Sequence, residues 1–286
     1  MLTRFLKALG MKPPAQTAPA QAGGVLNLFL ETSPSAQNVI NLFAGEWSSQ
    51  MPSESGLAAT PGTARLFEDD RIHWASKMLG GFAGKKVLEL GPLEGGHSYM
   101  LQKARAASIT AIESNTRAYL KCLCVKELFS LDRVHFSLGD FREFLKTTNE
   151  KYEVLLASGV LYHMTDPLTL LADAARVSDN LVIWTHFYDA AAINNDTLRF
   201  ESPLKQTHGK FEGIGAKRYY QDALNWTGFC GGTRPDAIWL ERGTILRFLE
   251  SLGFNQIDID GETLNHPNGP CFTLVAKRKK RTRMRP

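Results

Sequence analysis

Lys85-Lys86-Val87-Leu88-Glu89-Leu90-Gly91-Pro92-Leu93-Glu94-Gly95-Gly96-His97-Ser98 decides how the rest of the chain is read. Val87, Leu88 and Leu90 form a short apolar run of the kind that makes a buried parallel strand, and the residues from His97 onward have a helical pattern. Between them, Gly91, Gly95 and Gly96 let backbone approach a ligand with no Cβ in the way, and the helix beginning near His97 directs free amides at it. Strand, glycine turn and helix in that order predict a nucleotide-type ligand. The spacing lacks the second glycine of Gly-x-Gly-x-x-Gly, on which a pyrophosphate rests. Glu89, just before the turn, would repel phosphates and attract an ammonium or a sulfonium.

Two further strand ends carry suitable groups. Ser108 to Glu113 reads as a strand closing on an acid 22 residues after Gly91, and Arg133 to Leu138 as a third strand followed by Gly139-Asp140-Phe141. A nicotinamide enzyme would also place an acid near Glu113, whereas the third-strand Asp is not part of that pattern. Val87-Leu88-Glu89-Leu90-Gly91 with Gly95-Gly96 resembles motif I of class I S-adenosylmethionine (SAM) dependent methyltransferases. The resemblance implies an α/β fold, a doubly wound Rossmann-like sheet that is mostly parallel with an antiparallel strand near the C-terminus. It also implies SAM as cofactor, with Glu89, Gly91, Pro92 and Gly95 around the methionine part, Glu113 on the ribose hydroxyls, Asp140 and Phe141 at the adenine, and Ser158 beside them. Read from the residues alone, Asp140 is equally an N-cap of the helix that follows.

A second signature is Gly159-Val160-Leu161-Tyr162-His163, followed by Asp166-Pro167-Leu168. It resembles the loop after the fourth strand in a broad branch of these methyltransferases, and is similar to that of the tRNA wobble-uridine carboxymethyltransferases. The chain departs from the tRNA enzymes at Met164-Thr165, where they carry basic residues, and at Gly91-Pro92-Leu93-Glu94. The resemblance spans roughly Lys86 to Arg176, so it speaks to fold and cofactor more than to acceptor. His163, and His186 at the end of the fifth strand, are the candidate bases because imidazole titrates near neutral pH; each is alternatively a structural histidine. Tyr162, Tyr188 and Asp189 are candidates for orienting the acceptor. Some fifty residues from Ala190 to Trp239 show little regular pattern and many aromatic and basic residues, Arg234 among them, which predicts an acceptor lid.

The remaining features bound this reading. Composition, with 43% hydrophobic and 22% charged residues, is that of a soluble globular protein, and no run approaches the ~20 apolar residues of a membrane span. Charge at Arg4 and Lys7 interrupts the first apolar residues, so no secretory signal is expected and the cytoplasm is the default. Cys122, Cys124, Cys230 and Cys271 include no Cys-x-x-Cys pair, so no metal site is expected. The expected organisation is a flexible segment over 1–24, with one short amphipathic helix from Met1 to Lys12, and a helical cap over 25–84. A SAM-binding domain follows over 85–277 with its insertion at 190–239, then a basic tail over 278–286. From Lys277 onward seven Lys and Arg meet no acid; without them 26 basic side chains face 29 acids, so the positive balance belongs to the tail. The sequence therefore predicts a SAM-dependent methyltransferase with a small-molecule or glycan-linked acceptor. A tRNA-modifying transferase and a non-catalytic SAM-binding regulator are the rival readings, and the tail offers sequence-independent attraction to nucleic acid.

Overall fold

The computed structural model describes residues 29–193, 196, 198–225 and 231–278. The amphipathic N-terminal stretch, the linker after it, Cys230 and the tail beyond Arg278 lie outside them. Seven strands form the main sheet: β3 (Lys86–Leu90), β4 (Ser108–Glu113), β5 (Val134–Leu138), β6 (Val154–Ser158), β7 (Asn180–His186), β11 (Gln256–Thr263) and β12 (Cys271–Lys277). Their order is β11-β12-β7-β6-β3-β4-β5. The five strands from β3 to β7 are parallel, and β12 runs antiparallel between β7 and β11. The order reverses between β3 and β6, which opens a crevice beyond their carboxyl ends.

Successive residues of a strand face opposite sides, and the central strands are apolar on both. Leu88, Leu155, Leu181, Ile183 and Leu274 enter one core, with the helices Pro167–Val177 and Arg242–Ser251 over it. Val87, Val154, Leu156, Val182 and Val275 enter the other, under Asp70–Leu79, Gly96–Lys103 and Thr116–Leu128. Helix starts follow local chemistry. Asp69 caps Asp70–Leu79, Asn115 caps Thr116–Leu128 and Asp166 caps Pro167–Val177, with proline at the first helical position. At the chain's first described helix, Ala36–Asn41, the cap is Ser35: its Oγ accepts from the Asn38 amide at 3.2 Å. No helix of the described residues is long and apolar enough to cross a membrane.

Two additions cover the crevice. On the N-terminal side, β1 (Trp47–Ser49) pairs with β2 (Pro61–Ala64), and Trp47 is fully buried against Phe43. The cap is therefore part strand, and Trp47 belongs to its core. After β7, the connection expected to be irregular holds a second sheet of β8 (Leu204–His208), β9 (Phe211–Tyr219) and β10 (Asp236–Leu240), antiparallel in the order β10-β9-β8. Gly213 and Gly215 interrupt the apolar alternation of β9 because side chains there have no room: a Cβ on Gly213 would lie 2.2 Å from Thr244 Cγ2.

Candidate cofactor and acceptor site

The turn after β3 is built to bring backbone into the crevice. Gly91 has φ 63° and Gly95 φ 79°, and Leu93 stands between them at φ 55°. Leu93 thus occupies the left-handed conformation that a second glycine would supply, at a cost of about 1–2 kcal/mol. Its amide donates to Glu113 Oε2 at 3.1 Å, while the Asn115 amide donates to Oε1 at 2.8 Å. Burial pushes the Glu113 carboxyl upward, and these amides oppose the shift. A Cβ on Gly91 would reach within 3.2 Å of Val160, so the turn and the loop after β6 meet too closely for a side chain.

A cavity of about 370 Å³ lies at this edge. At one end Gly91, Pro92, Glu113, Asp140, Phe141 and Ser158 line it; at the other stand Tyr162, His163, Trp184 and Arg234. Nine residues predicted from sequence are thereby brought to one space. Asp140 is also the N-cap of Phe141–Thr147, accepting the Arg142 amide at 2.8 Å, and the Arg142 guanidinium holds its carboxyl below the usual range. The N-cap reading of that residue therefore holds, and the same residue lines the cavity.

Five other candidates stand outside the lining. Glu89 is 1% exposed beneath the turn, with Ser98 Oγ donating to it, and burial pushes its carboxyl up. Gly95 faces Phe136, 3.2 Å from where its Cβ would sit. Tyr188 packs on Phe200 in the core of the insertion, and Asp189 accepts the Ala192 amide at 2.8 Å. His186 is buried behind Tyr162, stacked on Trp239 with ring centroids 4.9 Å apart. Its Nδ1 lies 2.9 Å from the Gly269 carbonyl, to which it donates. Burial lowers the His186 pKa to about 4 and that of His163 to about 3, the latter reinforced by Arg218. Both rings are neutral at pH 7. His163 Nδ1 and the Tyr220 hydroxyl are 2.5 Å apart, and burial pushes the Tyr162 hydroxyl up to about 12.

Sequence reading missed several groups here. Arg71 lines the cavity with its guanidinium 4.6 Å from the Trp184 ring centroid, and is paired with Asp69. Asp69 also meets His97 Nε2 at 2.8 Å; burial would raise its carboxyl, but His97 and Arg71 outweigh that and hold it well below the usual range. Asp69 was legible only as a cap, and nothing local signals that it joins two elements over the cavity. Tyr220 and Arg218 were visible only as part of an aromatic and basic stretch; Arg218 lies 4.8 Å over the Tyr220 ring.

No protein-family model matches the chain, and no curated protein matches it in sequence. Solved structures do. The N-terminal domain of EvdMO1 with S-adenosylhomocysteine (SAH) bound superposes with a TM-score of 0.61 at 22% identity, over 86% of this chain and 95% of that one. The same domain in the presence of SAH and D-fucose gives 0.58 at 21%, with the same coverage. Magnesium protoporphyrin IX methyltransferase from Synechocystis, with bound SAH, gives 0.50 at 16%, over 74% and 81% of the two chains. Together with the sheet order and the antiparallel β12, these similarities show that the chain has the fold of class I SAM-dependent methyltransferases.

Proposed function

We propose that the protein is a SAM-dependent methyltransferase acting on a small-molecule or glycan-linked acceptor. One observation carries the reading: a single cavity joins the strand-end groups Glu113, Asp140 and Ser158 to an aromatic and basic end formed by Tyr162, Trp184, Arg71 and Arg234. The residues fit the cofactor. Glu113 has lone pairs left after its two amide bonds for a diol, and the close approach at Gly91 is a cradle that a Cβ would fill. Glu113 and Asp140 would hold the nucleoside, and the Gly91–Gly95 turn the amino-acid part. When bound, SAM supplies an electrophilic methyl on a sulfonium.

The chain's own residues then position the acceptor and exclude water. Rings of Tyr162 and Trp184 give an apolar wall of the kind on which sugars and aromatic groups stack, and Arg234 adds positive charge. His163, neutral and bonded to Tyr220, orients the acceptor by a hydrogen bond; its lowered pKa makes it a weak proton acceptor. His186, outside the lining, acts on the site through Tyr162 and Trp184. The presence of D-fucose with the EvdMO1 domain supports trying sugars first.

The test is an SAH titration followed by an acceptor screen with methyl-labelled SAM, deoxysugars and sugar nucleotides included. Saturable SAH binding, weakened by roughly 1–3 kcal/mol in Asp140→Ala, is expected. Folded protein giving no heat and no thermal shift at saturating SAH would falsify the cofactor assignment. Methylation of tRNA alone would replace the small-molecule acceptor.

A further inference from the structure

Behind the acceptor wall, β7 and β12 place His186 and Cys271 directly opposite each other in the antiparallel ladder. His266, in the turn before β12, reaches over them, its ring centroid 5.1 Å from that of His186. One nitrogen of each histidine and the Cys271 sulfur all lie within 4.8 Å of one another. We propose that these three side chains form a binding site for a divalent transition metal of the zinc class, outside the cofactor cavity and separated from it by Tyr162 and Trp184.

The chemistry of the set favours such a metal. Two imidazoles and a thiolate are the ligands of a borderline-soft cation and not of magnesium or calcium, and three protein ligands leave a fourth position for water. His186 already has the support that a ligating histidine needs. Its Nδ1 proton is held by the Gly269 and Pro270 carbonyls at 2.9 and 3.2 Å, which fixes the tautomer and leaves Nε2 as a lone pair. The Trp184 ring packs against both imidazoles, its centroid 5.1 Å from that of His186 and 6.3 Å from that of His266, and shields that side of the set from water. Two of the three ligands are fixed by the ladder and buried, at 3% exposure each.

The third adjusts. Bonds of ~2.0–2.3 Å require ligand atoms about 3.3–3.6 Å apart in a tetrahedron, so the set closes by roughly an ångström on loading. His266 can supply that movement because its turn is exposed. Its Nδ1 accepts the Asn268 amide at 3.1 Å, and this bond is given up when the ring ligates. Asn268 is exposed, so water replaces the lost partner. Binding replaces the thiol proton by the metal and leaves a net charge of +1; the adjacent Arg71 is already balanced by Asp69. Cys spacing does not reveal the set, because Cys271 and His266 lie 80 residues or more from His186 and meet it only through the β7–β12 pairing and the turn before β12.

Cobalt(II) titration of the tag-free, chelator-stripped full chain tests the proposal. One equivalent should bind with a sulfur-to-cobalt charge-transfer band and tetrahedral visible bands, and zinc should bleach both. Cys271→Ser should lose the charge-transfer band, and His266→Ala, on the exposed turn, should weaken cobalt binding roughly tenfold or more. SAH titration of the same samples reports whether each variant is folded, and SAH binding is expected to survive in His266→Ala. Folded wild-type chain with no such band at stoichiometric cobalt, or His266→Ala binding cobalt as tightly as wild type, overturns the site.

Discussion

Glu94 shows how one residue departs from a glycine-rich turn and gains a use. It is 1% exposed, and its carboxylate accepts the Ser48 and Ser49 amides at 3.0 and 2.7 Å and the Lys121 ammonium at 2.9 Å. The side chain thus fastens β1 to the turn that lines the cavity. Glu94→Leu leaves Lys121 charged and buried and strands two amides, so stability should fall by about 3–5 kcal/mol in urea titrations. Adding Lys121→Met should recover part of the loss; if it recovers none, the ion pair is not the cause. His163 gives a pH prediction. Its folded pKa, about 3, lies below the ~6.5 of an unfolded histidine, so the unfolded chain takes up more protons between these values. Its contribution is complete above pH ~6.5 and declines as pH falls towards 3. Urea midpoints measured from pH 7 to 4 should therefore fall less steeply for His163→Phe than for wild type. The acid at the end of β4 was legible from spacing alone, because strand ends in a parallel sheet share an edge. Leu93 was not: its identity argues against a left-handed conformation, which tertiary contacts impose.

At the scale of elements, strands β3 to β7 were legible because the central ones are apolar on both faces, the edge strand β5 alternates apolar with polar residues, and helical stretches separate them. The β8–β9–β10 sheet was not, because glycine inside β9 reads as a breaker. In the structure those glycines answer to neighbours: Thr244 presses on Gly213 and its Oγ1 accepts the Ile214 amide at 2.8 Å. Gly213→Ala should accordingly cost about 1–3 kcal/mol by overpacking, read as a lower thermal midpoint. Gly209, at the tip of the same hairpin with nothing near its Cβ position, has φ 57°, so it answers to conformation and not to space. The chain end carries a similar lesson. Lys277 pairs with Asp258 at 3.0 Å, and Arg278 donates to the Leu252 and Ala175 carbonyls. Lys277 closes β12 as the domain boundary expects, whereas Arg278, expected to open the basic tail, is held against the domain by those carbonyls. Cutting after Arg278 should leave the thermal midpoint within error of wild type, whereas cutting after Ala276 should lower it; equal midpoints would deny Lys277 and Arg278 that role.

For the whole molecule, the cavity is walled by three segments far apart in the chain: Ser48 from the N-terminal cap, the strand ends from Gly91 to Trp184, and Gly231–Arg234 from the insertion. Such a site couples ligand binding to the stability of all three. A ligand that binds only the folded state adds about 2.7 kcal/mol at a hundred times its Kd. That increment should slow exchange of every amide that opens only by global unfolding, such as those of β3 and β6. Amides that open locally should respond only where the ligand or its contacts hold them. Leu93 and Asn115 donate to Glu113, and Ser48 and Ser49 donate to Glu94 on the same turn. SAH should therefore slow these four beyond the local amides of the β8–β9 turn, whose Gly209 and Lys210 do not line the cavity, in hydrogen exchange followed by mass spectrometry or NMR. Glu94→Leu separates the two pairs: protection at Leu93 and Asn115 should persist with ligand, while protection at Ser48 and Ser49 should be lost. If all four lose it together, Glu94 serves the cofactor turn itself, and the N-terminal cap follows the turn instead of being tied to it by this one carboxylate.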